Sequence, residues 1–154
     1  MRLLQPCLLA LCGLLSLSAH AEVRLVAPVE AGIFATPERA AQPGEQVLLR
    51  SAQQIQPASE IPARLGVKFG LRLTLDGKRA EDTPLTLLYL TPGVVSPDGQ
   101  RHDRYEVVQK LAPGSAQEVM AWEFSEPYEL VPGEWRFLVF QGDRKLADER
   151  FMVR

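Results

Sequence analysis

Val67, Phe69, Leu71, Leu73 and Leu75 alternate without fault against Lys68, Gly70, Arg72, Thr74 and Asp76. A period of two over that length predicts a strand with one buried face. The same signature returns near the end of the chain. Trp135, Phe137 and Val139 fall on one face of a segment entered through Pro132-Gly133, and Ala147, Phe151 and Val153 line one face of the next, with Gly142-Asp143 between them. This predicts a β-hairpin. A hairpin alone is marginal in water, so the remaining segments must supply sheets for it to pack on.

Those segments are short. Val23 to Val26 predicts a first strand ended by Pro28, and Gly32-Ile33-Phe34 continues it past a bend; Gln46 to Arg50 predicts another. Ser51 to Leu65 shows no firm period and reads as a connecting loop with room for one helical turn. Asp76-Gly77 turns the chain, and Leu85 to Leu90 follows with apolar residues on both faces, as in a central strand covered on both sides. Pro92-Gly93 and Pro97-Asp98-Gly99 bracket a loop with turn chemistry. Residues 100–112 satisfy two patterns, a strand through Tyr105 and Val107 or a helix through Val108, Leu111 and a Glu106–Lys110 pair. Flanking turns in a β-rich chain favour the strand. Val119 and Ala121 alternate with Met120, Trp122 and Phe124 before Pro127 ends the run. Glycine and proline leave no uninterrupted stretch much longer than Gln100 to Ala112, which excludes long helices.

The 154 residues include a start of a different kind. Arg2, the apolar run Leu3 to Leu17 and the small-x-small Ala19-His20-Ala21 form a secretory signal peptide, residues 1–21, with cleavage expected after Ala21. A membrane anchor needs about 20 apolar residues, and Pro6 and Gly13 interrupt this shorter run. Lipidation requires a small residue before the cysteine, whereas Leu11 precedes Cys12. Cys7 and Cys12 both lie in the leader, so residues 22–154 carry no cysteine and no disulfide framework. That length suits one domain with its own core. Removing Arg2 from the 17 basic residues leaves 16 against 19 acidic ones, a formal charge of −3 without a basic run. Nucleic acid and anionic membrane are therefore poor partners.

The usual parts of a hydrolase are missing. His102 is the one histidine after the leader, and Ser51, Ser59, Ser96, Ser115 and Ser125 stand in turns or linkers, none in a Gly-x-Ser-x-Gly elbow. Asp98, His102, Asp103 and Glu106 are close enough to consider as a metal loop, but one nitrogen ligand is too few for an ordinary zinc site. No metal or cofactor is expected. Glu123, Glu126, Glu129 and Glu134 cluster around Trp122, Tyr128 and Trp135, a composition that would suit sugar binding but that also arises when tryptophans enter a core and glutamates face water. Both tryptophans are read as core. Arg101, His102, Arg104 and Tyr105 form the surface to probe first for a protein partner, because Arg and Tyr are enriched at binding hot spots.

Gly32-Ile33-Phe34, Ile61-Pro62 with Arg64-Leu65-Gly66, Phe69-Gly70, Tyr128-Glu129-Leu130, Pro132-Gly133-Glu134-Trp135, Phe151 and Val153 together give the chain a likeness that spans residues 22–154. It resembles an uncharacterised family of small exported bacterial proteins defined as a domain of unknown function. The resemblance implies export and fold; it brings no activity, ligand or catalytic residue.

The expectation is a single immunoglobulin-like β-sandwich of seven to eight mostly antiparallel strands, with a closed barrel as the alternative. The functional expectation is an exported, periplasmic or secreted, non-enzymatic module that contacts another envelope protein. A carbohydrate- or small-ligand-binding protein using Trp122 or Trp135 with nearby carboxylates is the second reading, and metal capture at His102 a third.

Overall fold

A computed structural model describes residues 22–35 and 53–154; the expected leader and the expected strand Gln46–Arg50 lie outside these residues. Two sheets face each other, so the barrel alternative falls. In the first, β5 (Lys68–Asp76) is central. β8 (Gln117–Glu123) pairs along one of its edges, while β1 (Arg24–Leu25) and β2 (Glu30–Phe34) lie end to end along the other, with β3 (Ile55–Pro57) outside β2. The break between β1 and β2 falls around Pro28, whose missing N–H cannot join a ladder. The second sheet runs β4 (Glu60–Ile61), β10 (Arg144–Val153), β9 (Gly133–Gln141), β6 (Leu85–Val95), β7 (Arg101–Gln109). All pairs are antiparallel except β4 with β10.

Several expectations change. Ser51 to Leu65 is not simply a loop, because β3 and β4 form there as short additions to the edges of both sheets. Asp76-Gly77 does turn the chain, but it sends it to the opposite sheet rather than into a hairpin. Pro92-Gly93 does not end a strand: β6 continues to Val95 through a bulge between Leu90 and Val94, which leaves the proline without a ladder bond to make. Leu85, Leu87 and Tyr89 of β6 face the core, whereas Leu88 and Leu90 on its other face are half-exposed, so the strand is central but not covered on both sides. Residues 101–109 are strand, as read.

The core forms where the alternating faces meet. Phe69 of β5 lies 5.2 Å from Phe124, 5.9 Å edge-on from Trp135, 5.3 Å from Phe137 and 5.3 Å from Phe151, ring centre to ring centre, and all five are fully buried. Trp135 donates its ring N–H to the Val131 carbonyl at 3.0 Å, which satisfies the polar atom that burial would otherwise orphan. Tyr89 crosses between the sheets and donates to the Ala121 carbonyl at 3.3 Å; burial pushes its phenol up to about 12. Gly70 allows β5 and β8 to close: its φ is +154°, and a Cβ there would lie 2.1 Å from the Met120 carbonyl oxygen. The final hairpin turns at Gly142, φ +56°, followed by a residue of negative φ. That is the sign pattern of a type II′ turn, which wants glycine first.

One buried ion pair was not legible in the sequence. Lys78 Nζ meets Glu118 Oε1 at 2.7 Å with both side chains almost wholly enclosed, while Gln109 and the Ala112 amide also donate to that carboxylate. Three donors compensate its desolvation and tie the β5–β6 connection to β7 and β8.

Trp135→Ala is expected to cost about 3–5 kcal/mol in urea or thermal unfolding. A loss below about 1 kcal/mol would contradict the burial of the indole.

Candidate functional site

The residues singled out from sequence all lie on β7 or its approach, but they do not share one face. Tyr105 stands opposite the buried Tyr89, and His102 opposite the buried Val94, so both turn toward the flank where the two sheets meet. Their rings stack at 5.3 Å and 25°. From Tyr105 an aromatic series continues inward to Trp122 at 4.9 Å and from there to Trp135 at 5.4 Å. Arg104 stands opposite Leu90, on the outward face of the sheet. Arg101 folds back over Gly93 at the bulge, donating to the Pro92 carbonyl at 2.7 Å and to Asp103 at 2.9 Å.

His102 has a neighbour that sequence reasoning set aside. Ser96 Oγ lies 3.1 Å from His102 Nε2, and the same oxygen lies 2.5 Å from Asp98 Oδ1 and 3.1 Å from the Gln100 carbonyl. This brings a Ser, a His and an Asp together in the wrong order for nucleophilic catalysis. The acid must orient the histidine, and here it takes the single hydroxyl proton of the serine. With the Ser96 O–H donated to Asp98, only the lone pairs of Oγ are left for His102, so that contact requires Nε2 to be the donor. The cluster is a turn fastener: the Ser96 amide donates to the Gln100 carbonyl at 2.9 Å, Gly99 donates back to Ser96 at 2.8 Å, and the Gln100 amide donates to Asp98 at 3.2 Å. Thr91 adds a bond to the His102 carbonyl at 2.7 Å. A signal was available, since Ser96-x-Asp98 before Gly99 is turn chemistry.

The metal-loop grouping disperses in the same way. Asp98 binds Ser96, Asp103 pairs with Arg101 and Glu106 with Arg104. Among the described residues no three His, Cys, Asp or Glu side chains gather to hold an ion.

The sugar-binding grouping separates as well. Trp135 is sealed in the core and offers no platform. Trp122 is half-buried, contrary to a fully internal reading, but Tyr89, Tyr105 and Trp135 enclose its ring. Glu129 is buried and accepts from Ser125 Oγ and from the Ser125 and Glu126 amides at 2.7–3.1 Å, closing the 3₁₀ turn Pro127–Glu129. Glu134 pairs with Arg150 at 3.5 Å.

What remains is the outward face of the second sheet. Leu88 and Leu90 of β6 lie there with Phe140 of β9 over the buried Leu138, and the exposed Val108 of β7 extends the strip. Polar pairs frame it. Arg136 grips Asp148 through two bonds of 2.7 and 2.6 Å and Lys145 adds a third, so first Arg136 and then Lys145 hold that carboxyl well below the usual carboxylate range. Arg104 and Glu106 frame the β7 side.

Ser96, then the Gln100 amide, holds the Asp98 carboxyl below its ordinary range. A lowered folded value means that the associated stabilisation is present above the unfolded pKa and lost as pH falls through the folded one. Carboxyl NMR titration of Ser96→Ala should move Asp98 upward, toward about 3.9. An unchanged midpoint would show that the Ser96 hydroxyl does not donate to Asp98.

None of the curated proteins compared with this chain matches it. Among solved structures, an immunoglobulin-like protein from Pseudomonas aeruginosa is similar at 58% identity, with a TM-score of 0.76, over 88% of this chain and 99% of that one. The two-sheet architecture described above is accordingly immunoglobulin-like. Residues 22–153 match the family described as Domain of unknown function (DUF3859), and the chain belongs to that family.

Proposed function

We propose that this protein is an exported, non-enzymatic binding module of the bacterial cell envelope, and that it meets another envelope protein on the outward face of its second sheet. The observation that carries the reading is β6: it is apolar on both faces, and while Leu85, Leu87, Tyr89 and Val94 enter the core, Leu88 and Leu90 turn outward. An antiparallel sheet with a solvated outer face ordinarily alternates apolar with polar, and an apolar strip with a polar rim is the make-up of a protein contact. Arg104 at the edge of the strip supplies a hot-spot residue type. Export is supported by the character of residues 1–21. The non-enzymatic reading is supported by the proton arrangement at Ser96 and by the dispersal of the other candidate clusters.

Photo-activated cross-linking in cells tests this. A benzophenone residue at position 88 or 104 should yield a discrete adduct with a second, different protein, and the same probe at Arg24 on the first sheet should not. Adducts of no defined mass at every position, or none at 88 and 104, would remove the outward face as the contact surface.

A further inference from the structure

The backbone edge of β7 is separate from the face just described. Among the described residues β7 pairs with β6 alone, so nine residues, Arg101–Gln109, leave one side of their ladder open. Val107 and Val108 beside that edge are 47% and 63% exposed. An open edge of this length is a template for another strand. We propose that its occupant is β7 of a second copy, joined antiparallel about a two-fold axis through Tyr105.

The β7 edge is self-complementary. Successive residues of a strand point their N–H and C=O groups to alternate sides, so two residues that face one another across an antiparallel edge pair must have the same parity. In a symmetric pair the axis therefore passes through a residue, not between two. Among the possible centres, Arg104 sets Arg104 against itself, Glu106 sets Glu106 against itself, and Val107 sets Arg104 against Lys110. Tyr105 alone overlaps the full strand, because it is the middle of Arg101–Gln109. It sets Arg104 opposite Glu106 twice, Asp103 opposite Val107, His102 opposite Val108 and Arg101 opposite Gln109, with no like charges facing. Opposite charges directly across a ladder stabilise it and like charges oppose it. Maximum overlap and charge complementarity thus select the same register. The symmetric interface closes on itself and removes an open edge. It joins two second sheets edge to edge and leaves Leu88 and Leu90 on their outward faces free, Arg104 being the residue that both contacts share.

The full-length chain, expressed with its leader and purified after export, should sediment at twice the chain mass. Arg104→Glu and Glu106→Arg each place like charges opposite one another twice and should weaken self-association about tenfold or more, whereas the double variant R104E/E106R restores opposite charges and should restore the dimer. These side chains are solvent-exposed, so unchanged thermal unfolding is expected to accompany all three variants. Tyr105→Cys should form a disulfide-linked dimer on mild oxidation, since facing residues of a ladder lie about 4.5–5.5 Å apart. Val108→Cys should not, because the two copies of residue 108 lie about 20 Å apart in this register. A monomer at all concentrations, a double variant as weak as the singles, or equal cross-linking at 105 and 108 would overturn the proposal.

Discussion

The structure depends on Phe69 being held by aromatic rings from both sheets. Its four ring neighbours come from three places in the chain: Phe124 follows β8 in the first sheet, while Trp135 and Phe137 of β9 and Phe151 of β10 come from the second. Residues 22–154 carry no cysteine, so no disulfide fastens the two layers. Aromatic burial therefore has that role, each ring removing a large apolar area from water and adding edge-on or offset contacts. Tyr89 reinforces the same junction from β6 by bonding the carbonyl of Ala121, and Gly70 keeps β5 close enough to β8 for Phe69 to be placed there.

Once the inner faces are occupied, what is left on the outside becomes informative. The first sheet presents polar side chains such as Arg24 and Asp76, paired with each other. The second presents an apolar strip through Leu88 and Leu90 and, among the described residues, an unpaired strand edge along β7. The groups with chemical reactivity are meanwhile engaged in shaping the backbone: Ser96, Asp98 and His102 fasten the β6–β7 turn, and Glu129 closes a 3₁₀ turn.

Legibility in the sequence followed the physics of burial. Val67 to Leu75 and the final hairpin were plain because one buried face imposes a period of two over many residues. Ile55–Pro57 and Glu60–Ile61 were invisible because a strand of two or three residues has no period; they exist by pairing with β2 and β10. Pro92 hid the continuation of β6, since a bulge excuses the bond that proline cannot make. Asp76-Gly77 announced a reversal but not which sheet receives the chain. At the site, sequence found His102, Tyr105 and the arginines as neighbours but could not assign them to opposite faces, and it missed Ser96 as the partner of His102 and Lys78 as the partner of Glu118, forty positions away. Such pairs are set by tertiary packing.

The central claim is that the two sheets are joined by coupled aromatic contacts rather than by independent burial of separate side chains. A double-mutant cycle of Phe69→Leu and Trp135→Phe, followed by urea unfolding, measures that coupling directly. The account predicts an interaction of about 0.5–1.5 kcal/mol between positions 69 and 135. Two losses that add to within about 0.3 kcal/mol would contradict it.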